Sequence, residues 1–183
     1  MGPYQRSLEK LLHSVPAITM FMHRQWSWPA AESIHFIGLS LLFGTIAVWD
    51  LRLLGVARNV PISAFHKLVP FAIVGFCMNM ISGFGFLMAD PDQYIYNPAF
   101  HFKVMCLLLA GLNIAVFYLT MFRKVRSLGA GEPAPFAVKI NGAASLMLWT
   151  GVIIGGRMLT FFRPVGCQPG KVVGFLADCI IRP

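Results

Sequence analysis

The sequence contains few charged residues and especially few acidic ones. Only 12% of its 183 residues are charged, and the 7 Asp and Glu residues are outnumbered by 15 Lys and Arg residues. A soluble domain carries about 25% charged residues, so this composition excludes an ordinary soluble globular domain. Apolar residues take their place, because 57% of the chain is hydrophobic and its mean hydropathy is +0.68. The composition therefore predicts an integral membrane protein.

Several motifs that would identify a chemistry are also missing. The chain has no CxxC or CxxCH sequence, so neither c-type haem attachment nor a zinc ribbon is indicated. It has no GxSxG and no P-loop either, so nothing indicates a serine nucleophile or a nucleotide site. The N-terminus lacks the continuous apolar core and the cleavage site of a signal peptide. We therefore expect the first span to direct membrane insertion.

The basic residues and the cysteines have simple interpretations. The formal net charge is +8, but no basic face alternates with base-stacking aromatics, so we assign these cations to lipid headgroups and expect no nucleic acid. Cys77 and Cys106 lie in predicted spans as small apolar residues. Cys167 and Cys179 share the C-terminal tail, where they could form a disulfide if that tail is outside the cytoplasm.

Four long apolar segments predict an all-α membrane protein, a bundle of four transmembrane helices. Crossing a bilayer takes about 20 apolar residues. The segments cover approximately residues 29–49, 64–89, 99–122 and 136–162. We divide the chain into an amphipathic surface helix with an interface segment, the bundle, and an extramembrane tail, at 1–27, 28–162 and 163–183. The surface helix is predicted within residues 4–15, where apolar residues recur with helical spacing.

Charge in the loops predicts the orientation of the bundle. The loops after the first and third spans are basic, whereas the loop after the second contains Asp90 and Asp92 and no basic residue. By the positive-inside rule the basic loops are cytoplasmic. We therefore expect a multi-pass protein of the bacterial inner membrane with both termini in the periplasm.

Two histidines are the main candidates for a functional site. His35 lies well inside the first span, where an ionisable residue is costly unless it has a partner or a function. His101 lies in the first turns of the third span, which starts on the same side of the membrane. Because the two residues lie at similar depths on different helices, they are candidate axial ligands of one b-type haem.

Other residues near this depth could complete a haem site. Gly38 is one turn from His35 and could leave room for a porphyrin, and Lys103 and Arg157 lie where propionates would project. Arginine pairs well with carboxylates because its donors form a fixed fork. Glu32 precedes His35 by one turn and could orient the imidazole or pair with one of these cations. His66 has no histidine at its depth on another span, so a second bis-histidine haem is not indicated.

Simpler interpretations of the same residues remain open. A histidine in a span can simply hydrogen-bond a neighbouring helix, His101 is close enough to the interface to be solvated, and the glycines can be helix-packing positions. The leading hypothesis is a haem subunit that transfers electrons between quinone and an external redox protein in a larger complex, rather than a stand-alone enzyme. The alternatives are a cofactor-free accessory subunit and a copper or small-solute permease.

Three runs of the sequence resemble an uncharacterised family of bacterial four-helix membrane proteins. They are WPAAESIH at 28–35, FGTIAVWDLRLLG at 43–55 and NPAFHFK at 97–103. The resemblance covers about residues 26–122 and implies the four-helix fold. The architecture is more distantly similar to b-type cytochrome subunits and copper-resistance membrane proteins. The family likeness draws attention to five residues, Glu32, His35, Asp50, Arg52 and Lys103.

Overall fold

A computed structural model describes residues 16–161 of the chain. Every regular element in this part of the chain is helical. The short helices are α1 (Pro16–Met22), α3 (Ile62–His66), α5 (Pro91–Ile95) and α7 (Phe122–Arg126). The long helices are α2 (Ser27–Leu54), α4 (Val69–Ala89), α6 (Pro98–Val116) and α8 (Phe136–Met158). A π-helical turn over Phe117–Met121 joins α6 to α7.

Four helical stretches are long and apolar enough to cross a membrane, at Ser27–Leu54, Ile62–Ala89, Pro98–Arg126 and Phe136–Met158. The predicted all-α fold with four membrane helices is thereby confirmed, and the chain is a multi-pass membrane protein. The helices extend beyond the apolar runs, because backbone hydrogen bonding continues into polar residues at a span's end. Asp50 and Arg52 consequently lie inside α2 rather than after it.

Local sequence explains where the long helices begin and end. Gly55 ends α2 in the left-handed conformation, with φ 108°, and its N–H bonds the carbonyls of Leu51 and Arg52. Glycine adopts this conformation without steric cost. Asn97 caps α6, since its side-chain oxygen accepts the N–H of Ala99 at 3.0 Å, and Pro98 occupies the first turn where a missing N–H costs nothing.

The bundle is assembled around two interfaces of α2 and one of α6. Helix α2 packs against α4 on one side and α8 on another, and α6 packs against α8. Small residues allow the closest approaches: a Cβ on Gly75 would lie 2.6 Å from the Gly38 carbonyl oxygen, and one on Gly155 would lie 3.2 Å from the Lys103 backbone. Because α8 contacts both α2 and α6, it connects the two helices that carry His35 and His101.

Two clusters of buried apolar residues fill the bundle. One lies in its middle, and its fully buried members are Leu42, Cys106, Ala110, Trp149 and Val152. The other lies at the end where α2 finishes and contains Leu53, Ile62, Phe117, Val125, Ala134 and Val138. We call the end where α2 begins the His35 end and the opposite end the Asp50 end.

Two predicted segments fall elsewhere in the chain. The surface helix over residues 4–15 and the tail at 163–183, with Cys167 and Cys179, lie outside the described residues. The described helix α1 lies against α4 at the His35 end, where the Thr19 hydroxyl donates to the Met88 carbonyl oxygen at 3.0 Å. This contact holds the N-terminal part of the described chain on the bundle.

Candidate functional site

The His35 imidazole lies between α2 and α4 and is half-buried. Its Nδ1 is 2.8 Å from the Ser82 hydroxyl oxygen, and the same hydroxyl is 2.6 Å from the Met78 carbonyl oxygen. A carbonyl can only accept, so the single hydroxyl proton of Ser82 is committed to Met78. His35 must therefore donate from Nδ1–H, which assigns its tautomer and leaves a lone pair on Nε2.

The Nε2 atom of His35 is available to a ligand. Within residues 16–161 nothing hydrogen-bonds it, and it is not among the fully buried polar atoms. The Phe86 ring lies edge-on to the imidazole, with ring centroids 5.8 Å apart. A Cβ on Gly83 would lie 3.8 Å from the imidazole Cε1, so the backbone of α4 lies close to the ring. The imidazole is thus fixed at one nitrogen and open at the other.

Lys103 is the cation that the structure places near His35. Its side chain passes over the glycine pair of α8, where a Cβ on Gly156 would lie 3.8 Å from Nζ. Lys103 is close enough to His35 for the two side chains to interact electrostatically. No acidic side chain in the described part of the chain pairs with the ammonium group. An open imidazole nitrogen and an unpaired cation therefore occur together at the His35 end.

His101 occupies a different surface of the bundle. It is exposed, and its Nδ1–H donates to the Asn97 carbonyl of its own helix at 2.9 Å. Lys103 and Cys106 mark the side of α6 that faces α8. At about 100° per residue, His101 is turned about 200° from Lys103. The structure therefore does not bring His101 to His35, although both imidazoles present Nε2, and joint haem ligation by the pair stays a prediction.

The other predicted site residues divide between packing and surface positions. Gly38 lies against α4, where an added Cβ would meet Asn79, Met78 and Gly75 within 3 Å. The space beside this glycine is thus filled by a neighbouring helix. Arg157 is exposed and its guanidinium lies 5.4 Å from the centre of the Phe161 ring. Neither residue is placed against His35.

Glu32 does not orient the imidazole. It is exposed on α2 and forms no ion pair with any residue that the structure describes. Ser82 takes the orienting role, a residue that the sequence analysis did not single out. A serine in a glycine-containing span gives little sequence signal of its own. Only the packing of α2 on α4 shows that it faces His35.

A second polar region lies toward the Asp50 end. Asn113 of α6 and Asn141 of α8 exchange hydrogen bonds, the shortest being Asn141 Nδ2 to Asn113 Oδ1 at 2.7 Å. The Ser145 hydroxyl of α8 lies beside the Asp50 carboxyl. Both contacts join α8 to a neighbouring helix through side chains that are mostly shielded from the surroundings.

Arg52 is directed to the chain that follows α2. Its Nε donates to the Val60 carbonyl at 2.8 Å, and its Nη2 donates to the Arg58 carbonyl at 3.3 Å. Asp50 and Arg52 are two positions apart, but among the described residues neither forms an ion pair. Asp50 lies beside α8 and Arg52 bonds the loop, so these two neighbouring charged residues have separate surroundings.

The described residues contain no group of three or more His, Cys, Asp or Glu side chains that could hold a metal ion.

Comparison with known proteins identifies a family. A family model described as "Family of unknown function (DUF6644)" matches residues 28–162. The match covers well over half of the chain and confirms the predicted resemblance to an uncharacterised four-helix family. No match is found among curated proteins or among solved structures.

Proposed function

The chain belongs to the DUF6644 family, whose function is unknown, and from the geometry around His35 we propose that it is a b-type haem subunit for electron transfer. The haem would be held by His35 at the His35 end of the bundle, and the chain would work within a larger redox complex. One observation carries this proposal. A half-buried imidazole in a membrane helix has Nδ1–H fixed by Ser82 and Nε2 open.

The hydrogen bond to Ser82 is the arrangement expected of a metal-ligating histidine. Such a residue usually donates its other ring N–H to an outer partner, which fixes the tautomer and raises the basicity of the ligating nitrogen. An imidazole inside a membrane span is also costly without a function. Ser82 meets the first condition, and haem ligation would meet the second.

Lys103 fits the charge of the proposed cofactor. Haem b carries propionates, and an unpaired ammonium near His35 could neutralise one of them. The bound haem would supply a one-electron redox step, while the protein would supply ligation, burial and nearby charge. Arg157 lies on the surface of α8. It could therefore pair with a propionate only if that propionate projected out of the bundle.

The second axial position of the proposed haem has a different candidate ligand. His101 is the candidate predicted from the sequence. Its Nδ1–H is committed to the Asn97 carbonyl. It lies on the outward face of α6, so the proposal requires only His35 from the interior of one chain. We further propose quinone and an external redox protein as electron partners, in a bacterial inner membrane with both termini in the periplasm.

A spectrum of the purified full chain tests the proposal. We expect sharp reduced b-type bands in the wild type, or after reconstitution with hemin, and their loss in His35→Ala. His23→Ala is the matched control, because that histidine is exposed and its Nδ1 bonds the Thr19 carbonyl at 2.8 Å rather than a side chain of another helix. Failure of the wild type to bind haem, or unchanged bands in His35→Ala, would reject the proposal. Unchanged bands in His101→Ala would remove His101 from the site.

A cofactor-free accessory subunit is the second candidate function. It is favoured by exposed apolar side chains on and after α1, with Met20 73%, Phe21 56% and Trp26 75% exposed. Such side chains suit a membrane interface or a protein partner. If the purified chain bound no haem but remained in a stoichiometric membrane complex, and Phe21→Ser with Trp26→Ser dissociated it, this candidate would replace the first.

A further inference from the structure

Three buried polar atoms remain without a hydrogen-bond partner in the described part of the chain. They are Asp50 Oδ2, Arg52 Nη1 and Trp149 Nε1. Their residues are only 3%, 1% and 4% exposed. Buried polar atoms are rarely left unpaired, and an exception requires an explanation such as an internal water or a bound ion.

Asp50 and Trp149 belong to one interface, between α2 and α8. Ser145 of α8 lies beside the Asp50 carboxyl, and Trp149 follows Ser145 by one helical turn. On α2, Ile46 precedes Asp50 by one turn and packs in the same apolar cluster as Trp149. The unpaired oxygen and the unpaired indole N–H therefore lie on adjacent turns of the same contact.

Among residues 16–161, no positively charged side chain forms an ion pair with Asp50. Arg52 directs two of its donors to loop carbonyls, and His66 on α3 lies against the Trp49 and Phe122 rings. Helix α4 contains no charged residue, and Lys139, in the first turn of α8, makes no ion pair. The remaining cations near the Asp50 end are Arg58, Lys67, Arg123, Lys124 and Arg126, all exposed.

An ionised Asp50 would thus be a buried charge with one neighbouring hydroxyl and no counter-ion in the described part of the chain. Burial of an uncompensated carboxylate is strongly unfavourable, and the usual outcome is that the group takes up a proton. The Ser145 hydroxyl can donate to the carbonyl oxygen of the neutral carboxyl, while Oδ2 carries the proton. A water molecule could then accept from Oδ2–H and from Trp149 Nε1–H together.

We propose that Asp50 is a proton-binding site inside the bundle, which exchanges its proton through a water molecule held between Oδ2 and Trp149 Nε1. In the uptake step a hydronium ion gives a proton to the carboxylate, the Oδ2–H bond forms and water is left. Release is the reverse step, and no oxidant or reductant takes part.

The proton site is separate from the proposed haem site. Asp50 follows His35 by 15 positions on the same helix, about 22 Å along the axis at 1.5 Å per residue. It uses no residue that the haem proposal requires. Either proposal can therefore fail while the other stands.

Infrared difference spectroscopy of the full chain in lipid nanodiscs tests the inference. We expect the wild type at neutral pH to show the C=O stretch of a protonated carboxylic acid, and Asp50→Asn to lose it. Glu32→Gln is the matched control, because Glu32 is an exposed carboxyl on the same helix, and it should leave the band unchanged. Absence of the band from the wild type, or its persistence in Asp50→Asn, would overturn the proposal.

A second variant covers the case in which Asp50→Asn fails to fold. Ser145→Ala removes the donor to the carboxyl but keeps the acid, so the C=O band should remain and move to higher frequency. Exchange into ²H₂O should shift the wild-type band if water reaches Oδ2. A band that responds neither to Ser145→Ala nor to ²H₂O would assign the protonated acid to another residue or to an isolated site, and it would also overturn the proposal.

Discussion

A single hydroxyl group determines the tautomer of His35. The Ser82 proton is committed to the Met78 carbonyl at 2.6 Å, so the imidazole must donate to Ser82 and keep Nε2 free. Were the serine absent, Nδ1 would lose its only partner among the described residues, and the ring could rotate or change tautomer. The tautomer of His35, and with it the free Nε2, therefore depends on a side chain from another helix.

Ser82→Ala should weaken haem binding without removing the ligand. Loss of an outer-shell partner typically costs about 10–100-fold in metal affinity, and we expect a loss of this order in a hemin titration of the apo-protein. Ser40→Ala is the control, because the exposed Ser40 hydroxyl bonds only the Phe36 carbonyl of its own helix. Equal affinities of Ser82→Ala and the wild type would show that the hydroxyl does not position the imidazole.

The Asn113–Asn141 pair should contribute to the stability of the α6–α8 contact. Hydrogen bonds between membrane helices average about 0.6 kcal/mol in double-mutant cycles, with a maximum of about 1.7 kcal/mol. We expect Asn113→Ala and Asn141→Ala to destabilise the bundle non-additively, with a coupling energy in this range. Unfolding in mixed detergent micelles measures it. Strictly additive effects would contradict a direct interaction between the two amides.

At the scale of helices, the closest contact in the bundle is that between α2 and α4. Gly38 and Gly75 allow the two backbones to approach so closely that a Cβ on either would lie within 3 Å of the opposite carbonyl oxygen. The same contact places Ser82 beside His35. The close approach at Gly38 and Gly75 is thus part of the same helix contact that brings Ser82 to the imidazole.

Gly75→Ala should separate α2 from α4. An added methyl group 2.6 Å from the Gly38 oxygen must displace backbone, and overpacking of this kind costs about 1–3 kcal/mol. Unfolding of the variant in mixed micelles measures the loss. Gly44→Ala and Gly111→Ala are the controls, because an added Cβ there has no neighbour within 4 Å and should not lower stability. A neutral Gly75→Ala would indicate that the helices separate easily.

The sequence predicted the spans well because hydrophobic length is a local property. It did not predict which faces of the helices meet, because the lipid-facing side of a membrane helix is as apolar as the side that faces the core. Depth along a span placed His35 and His101 at the same level, but only packing shows that His101 faces outward. For the same reason the sequence alone leaves Gly38 as either room for a porphyrin or a helix-packing position, whereas the structure places it against α4.

At the scale of the whole molecule, positive charge within residues 16–161 is concentrated at the Asp50 end of the bundle. The loops and helix ends there carry exposed basic residues, whereas the segment between α4 and α6, at the His35 end, carries acids and no base. Four apolar helices with this asymmetry follow the pattern from which membrane orientation is inferred. The structure shows which helix ends lie together at each end of the bundle, and the charges predict which of these ends faces the cytoplasm.

Cysteine labelling of intact cells tests that orientation. With the four native cysteines replaced by alanine, an impermeant thiol reagent should label Gln93→Cys, in α5, but not Ser127→Cys, at the end of α7. Labelling of Ser127→Cys after membrane disruption is the control for accessibility. The reverse pattern would place both described ends of the chain in the cytoplasm.

The π-helical turn has a consequence for changes in chain length. Buried or half-buried side chains recur every four residues, at Phe117, Met121 and Val125. In a regular helix of 3.6 residues per turn, side chains at this spacing would turn gradually away from the core. The wider turn keeps all three inward and leaves Leu119 85% exposed. Deletion of Leu119 would bring Val125 seven positions after Phe117, where ordinary α-helical winding also returns to the core. Homologues one residue shorter at this point should therefore retain the same interior, so an alignment gap here would reflect straightening of the helix rather than loss of a contact.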